Sequence, residues 1–117
     1  MKKFTPALNG IFQVLKSEMS LKIHFVVAII TIVFSIFFKI SLLEWCFVAM
    51  AIGSVIAAEI FNTAIEWLCD HIEPDQHKGI GLIKDASAGA VLILTIAAIV
   101  VGLIIFFPKI IALCIIC

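Results

Sequence analysis

The chain has 117 residues, a formal net charge of +0 at pH 7, 64% hydrophobic residues and a mean hydropathy of +1.29. So short a chain cannot enclose that much apolar surface in a core of its own, so a single membrane-embedded domain over 1–117 is expected. Eight basic residues, all lysine, are balanced by eight acidic ones, which excludes a nucleic-acid binder.

Residues 1–21 read as an amphipathic helix on the membrane surface. Leu8, Ile11, Phe12 and Leu15 recur at helical spacing, and Lys2, Lys3, Lys16 and Lys22 add positive charge. Pro6 limits how early that helix begins. No early apolar stretch followed by small residues suggests a cleavable signal. Glu18 and Lys22, four apart, match an ordinary surface pair on a helix.

The first span is expected over 22–39. It is apolar apart from His24, Thr31 and Ser35, and its modest length is relieved if Lys22 and Lys39 snorkel to the interfaces. His24, taken alone, reads as an interfacial side chain.

The second span is expected over 42–71, roughly 45 Å at about 1.5 Å per residue, so it outreaches the hydrocarbon core. Glu44 reads as a carboxylate snorkelling at the far interface. Within the helix Glu59, Asn62, Glu66 and Asp70 share an arc of roughly 80° at about 100° per residue. Carboxylates at membrane depth are costly and face a protein interior, where they carry function. Asp70 is expected near the interface and Glu59 some 16 Å deeper at the same rise. Pro74 ends this helix.

A polar loop is expected over 72–83, with Pro74, Gly79 and Gly81; His71, Glu73, Asp75 and His77 read most simply as solvated there. The third span is expected over 84–107. Its Ala86-Ser87-Ala88-Gly89-Ala90 run lets helices approach closely. Pro108-Lys109 marks its end, and 108–117 is an apolar tail. Cys46, Cys69, Cys114 and Cys117 lie in or beside apolar segments and read as buried apolar residues; Cys114-Ile115-Ile116-Cys117 has neither a second pair nor a nearby histidine.

Lysines orient the chain. Lys2, Lys3, Lys16, Lys22, Lys78 and Lys84 fall on one side of a three-span topology and only Lys39 and Lys109 on the other, which favours a cytoplasmic N-terminus and second loop.

The polar column opens toward the side that holds Glu18, His77, Lys84 and Asp85. Glu18, Glu66 and Asp70 offer oxygen ligands for Mg²⁺, which takes one or two carboxylates plus substrate phosphates. Lys84 offers a compact cation for phosphate, and Glu59, deeper and desolvated, suits proton abstraction from an alcohol. These are the parts of a phosphoryl transfer. Two rivals stand beside it. A cation or proton transporter would need polar groups reaching both faces, yet residues 43–58 offer only Ser54 beyond Glu44 and Trp45. A holin-like or structural membrane protein would need no carboxylate column.

Glu59-Ile60-Phe61-Asn62-Thr63-Ala64-Ile65-Glu66, then Asp70, His77 and Lys84-Asp85-x-x-Ala88-Gly89-Ala90-Val91-Leu92, resembles the signature of prokaryotic diacylglycerol kinases and the related undecaprenol kinases. The resemblance covers about residues 8 to 107, including Gly10 and Glu18. It implies an all-α membrane fold: three transmembrane helices and an N-terminal surface helix, assembled as a homotrimer with active sites shared between subunits. It implies transfer of phosphate from ATP, with Mg²⁺, to a membrane lipid hydroxyl at the cytoplasmic face of the bacterial inner membrane. Diacylglycerol, giving phosphatidic acid, is the leading expectation, and undecaprenol, giving undecaprenyl phosphate, the alternative. By the same resemblance Glu59 is the base, Glu18 and Glu66 hold Mg²⁺, and Asn62, Asp75, His77, Lys84 and Asp85 surround ATP, with Asp70 beside them. Lipid contacts fall at Ser20, Lys22, Ile23, His24 and Ala88, and Lys22-Ile23-His24 looks more like the undecaprenol-kinase branch.

Overall fold

In the computed structural model, residues 4–72 and 78–116 are described, and they are almost entirely helical. In chain order the helices are α1 (Phe4–Ser17), α2 (Met19–Phe37), α3 (Leu42–Ile72) and α4 (Lys78–Ile116). The last three are each long and apolar enough to cross a membrane. The molecule is elongated, 58 × 38 × 22 Å, as expected when every backbone polar group must be satisfied within its own helix.

α1 stops earlier than a helix over 1–21 would. Glu18 adopts extended backbone, φ −114° and ψ 119°, and α2 starts at Met19. Glu18 is therefore a one-residue hinge; its own N–H still donates to the Val14 carbonyl at 2.9 Å. α2 then has 19 residues, about 28 Å at helical rise, close to the hydrocarbon thickness without recourse to snorkelling. Its hydroxyls are satisfied locally: Thr31 Oγ1 donates to the Val27 carbonyl and Ser35 Oγ to the Thr31 carbonyl, each at 2.8 Å.

The α2–α3 connection is tight. Lys39 takes a left-handed conformation with φ 51°, and Ile40 N–H reaches back to the Ser35 carbonyl at 3.2 Å. Ser41 then caps α3, its Oγ accepting from Glu44 N–H at 3.1 Å, while Ser41 N–H donates to Glu44 Oε1 at 2.9 Å; this is a reciprocal capping box. Glu44 Oε2 accepts from Lys109 Nζ at 2.8 Å, and Lys109 also donates to the Ile105 carbonyl at 3.2 Å. Glu44 thus ties the start of α3 to α4 instead of simply snorkelling. Beneath it Ile40, Val48, Ile105 and Phe106 are buried, with Phe38, Trp45, Ile52 and Val101 packed around them. This end of the bundle is its apolar clamp.

α3 packs along α4 over most of its length. Ion pairs Glu44–Lys109 and Asp70–Lys84 at opposite ends fix the two helices antiparallel and in register. α4 departs from the expected third span at both ends. It begins at Lys78, so Gly79 and Gly81 lie in its first turns, where the glycine penalty of about 1 kcal/mol per residue is smallest in effect because few ladder bonds depend on them. It also continues through Pro108 to Ile116: one proline removes a single ladder bond, which a long helix survives. Residues 73–77, in the expected loop, lie outside the described residues.

Ser41→Ala removes the cap and should destabilise the protein by about 1 kcal/mol, measured by unfolding in detergent. Glu44→Ala keeps the backbone N–H bond to Ser41 Oγ but loses both the acceptor for Ser41 N–H and the tie to α4, so it should lower the unfolding midpoint further; equal midpoints would show that the Lys109 pair adds nothing.

Candidate active site

On α2, Leu21, His24, Ala28, Thr31 and Ser35 recur at spacings of three and four, the pattern of a helix face turned to its neighbours; Leu21, Ala28 and Ser35 are buried. On α3 the buried positions are Val48, Val55, Glu59, Thr63 and Cys69, the first four at steps of seven, four and four residues that keep to one helix face. Where these two faces meet, His24 Nε2 lies 3.4 Å from Glu59 Oε1. Glu59 is only 8% exposed, so the ring provides a polar neighbour for a carboxylate that water scarcely reaches.

The column on α3 divides along its length. Glu59 is buried and faces α2. Asn62 and Glu66 are half-buried. Asp70 is exposed, and its Oδ1 accepts from Lys84 Nζ on α4. The two ends of one polar stripe are therefore engaged by two different helices. Counting inward from the α3–α4 ion pairs sets Thr95 level with Glu59 and Ala88 level with Glu66. Counting along α2 and α3 from His24 and Glu59 sets Glu18 near the level of Glu66. Ser20, Lys22, Ile23, Asp85 and Ala88 are exposed. Asp75 and His77 lie outside the described residues.

A cavity of about 380 Å³ lies between α2, α3 and α4. It runs from His24 to Phe106, and most of its lining is apolar: Val27, Ile52, Val55 and Ile99 are typical, and Thr31 and Thr95 are polar exceptions. His24 stands at one end and Phe106, part of the apolar clamp, at the other. Glu59 itself is not part of the lining; it touches the cavity wall through His24.

The nucleotide and metal side is less assembled within one chain. Among the described residues, no group of three histidine, cysteine, aspartate or glutamate side chains converges as a metal cluster. The donors nevertheless suit a hard cation carrying phosphate. No side-chain hydrogen bond caps α2 at Glu18, so that carboxylate is not consumed by the hinge it occupies. Asn62 Oδ1 is buried without a hydrogen-bond partner among the described residues. An oxygen-rich set with unspent acceptors is what Mg²⁺ calls for, the phosphate oxygens of a nucleotide filling its remaining positions.

The sequence reading left His24 at the interface. The signal that locates it is the run of Leu21, Ala28 and Ser35 around it, which gives its helix face away once those residues are seen to be buried.

The sequence profile described as prokaryotic diacylglycerol kinase matches residues 5–106. The chain is also similar to the undecaprenol kinase of Bacillus subtilis (strain 168), 32% identical over 108 residues, which is 92% of this chain and 88% of that protein.

The unpartnered Asn62 Oδ1 has a measurable consequence. Asn62→Leu, which keeps the branched heavy-atom shape of the side chain, should stabilise the nucleotide-free protein by about 1 kcal/mol in unfolding experiments, because it removes a buried polar atom that lacks a bond among the described residues. Destabilisation by a similar amount would show that the amide is already bonded in the assembled protein.

Proposed function

The chain belongs to the prokaryotic diacylglycerol kinase family and is a membrane lipid kinase, with ATP implied as phosphate donor; from that premise we propose that its lipid substrate is undecaprenol. The carrying observation is an apolar cavity lined at one end by His24, whose ring contacts the buried Glu59. A polyprenol carries apolar chain almost up to its hydroxyl, whereas a diacylglycerol carries two esters beside it. The cavity lining suits the former, with few side-chain donors for ester carbonyls. The similarity to an undecaprenol kinase favours the same choice. Diacylglycerol, the leading expectation from sequence, becomes the second reading.

In this proposal Glu59 accepts the proton of the lipid hydroxyl as that oxygen bonds the terminal phosphorus of ATP and the bond to the bridging oxygen of ADP breaks. Burial keeps Glu59 away from bulk water, and the cavity aligns the hydroxyl with it. Lys84, oriented by Asp70, supplies positive charge on the nucleotide side, where Asn62, Asp75, His77 and Asp85 complete the surroundings of ATP. Glu66 and Glu18 would hold Mg²⁺, which when bound neutralises charge on the phosphates. Ser20, Lys22, Ile23, His24 and Ala88 border the lipid.

Glu18 and Glu66 standing near one level on different helices supports a homotrimer with shared sites, Glu18 of one subunit serving a neighbour. Phe4, Leu8 and Phe12 are exposed on α1, which supports its lying on the membrane surface. The lysine distribution supports a cytoplasmic N-terminus in the bacterial inner membrane.

Purified protein with labelled ATP and Mg²⁺ should phosphorylate undecaprenol faster than dioleoylglycerol; the reverse order would return the choice to diacylglycerol. Glu59→Gln should lower kcat by roughly 10² to 10⁴-fold, and wild-type turnover would remove Glu59 as base. Glu66→Gln should raise the Mg²⁺ concentration needed for half-maximal rate, and an unchanged requirement would contradict its metal role.

A further inference from the structure

We propose that His24 is a positioning residue for Glu59, a cross-helix tether that holds the base in its productive orientation, in addition to bordering the lipid. The proposal rests on the reading of Glu59 as proton acceptor.

Three observations carry it. His24 occupies a core-facing position of α2, between buried Leu21 and Ala28, so its ring is directed inward by the helix itself. Its Nε2 is 3.4 Å from Glu59 Oε1, and among the described residues no other side chain lies within ion-pair distance of that carboxylate. The same ring lines the cavity, so it stands between the base and the apolar chain of the substrate.

The chemistry follows from what a carboxylate needs. Glutamate has three side-chain torsions, and in a site open toward a cavity it can swing off axis. With hydrogen on Nε2, the imidazole donates toward Oε1 and leaves Oε2 to meet the hydroxyl. The contact is longer than an ordinary hydrogen bond, and closing it takes only a few tenths of an ångström, the kind of tightening that occurs when substrate fills a site. A tether from α2 to α3 also fixes the spacing of the two helices at the head of the cavity. Losing it displaces the base while leaving most of the apolar lining in place, so it acts on turnover more than on lipid affinity. A His24 that only touched lipid would do the opposite.

The experiment is steady-state kinetics on full-length protein with undecaprenol and Mg²⁺·ATP. His24→Ala should lower kcat roughly 10- to 100-fold, since misplacing a reacting group by about 1 Å costs that much, with lipid KM changed by less than about threefold. His24→Gln, whose amide can donate from nearly the same place, should recover most of the loss. His24→Ala in a Glu59→Gln background should be no slower than Glu59→Gln alone, because the tether has no base left to position. If His24→Ala does not yield folded protein, His24→Phe keeps the bulk of the ring without its donor and replaces it in the comparison with His24→Gln. Unchanged kcat, a rise in lipid KM alone, or a full additional loss in the double variant would each overturn the tether. The premise fails separately: a Glu59→Gln enzyme with wild-type turnover removes the base itself, whereas an inactive Glu59→Gln beside a fully active His24→Ala removes only the tether.

Discussion

The structure depends on one constraint: an ionisable group placed at membrane depth must find a partner on another helix. Glu59 faces His24 of α2, Asp70 faces Lys84 of α4, and Glu44 faces Lys109 of α4. None of these pairs lies within a single helix. Apolar side chains are as content with lipid as with one another, so they set no register; the surface of this chain is crowded with exposed isoleucine, valine, leucine and phenylalanine. The cross-helix pairs fix which residues of α2, α3 and α4 stand at the same depth, and the polar column of α3 inherits that depth.

The bundle is correspondingly uneven. At the α2–α3 turn, the capping box, the Glu44–Lys109 tie and the Ile40, Val48, Ile105 and Phe106 cluster hold three segments together. Beyond the cluster, toward His24, the helices leave a cavity. A long apolar substrate needs such a space, and a cavity can persist only where the helices bordering it are secured elsewhere. The clamp and the His24–Glu59 contact bracket it from the two ends.

Much of this was legible in the sequence. Apolar runs bounded by lysine or proline gave three spans, and four polar residues at helical spacing marked a polar face of α3 whose Glu59 end turns to α2 and whose Asp70 end turns to α4. Period and composition carry that information because each helix must satisfy its own backbone. What pattern alone could not supply was pairing between helices. His24 looks interfacial in isolation because nothing local says that Glu59, thirty-five residues on, sits beside it. Glu44 reads as a snorkelling carboxylate in isolation because its partner Lys109 is still more distant, 65 residues along the chain. The ends of α4 were misjudged for a different reason: Gly79, Gly81 and Pro108 are local turn signals, and the cooperativity of a long helix outweighs them.

The same division explains why the two halves of the proposed reaction are built differently. A lipid alcohol arrives from within the membrane, and one chain supplies what it meets: an apolar cavity, a buried carboxylate and a ring to orient it. A nucleotide arrives from water with several negative charges, and its site needs acidic and basic groups from more than one direction. Among the described residues of one chain those groups form no cluster. Glu18 stands at the break between α1 and α2, Glu66 on α3, and Lys84 on α4, with Lys84 already engaged by Asp70. Burying all of them together inside one small helical bundle would require desolvating several charges without enough apolar packing to offset the cost. Spreading them over the faces of neighbouring subunits avoids that cost, because each chain then carries only a few charges near the membrane boundary. The proposed homotrimer with shared nucleotide sites would spread these charges over several chains, and the extended backbone at Glu18, where no side-chain hydrogen bond caps α2, leaves that carboxylate uncommitted to its own helix.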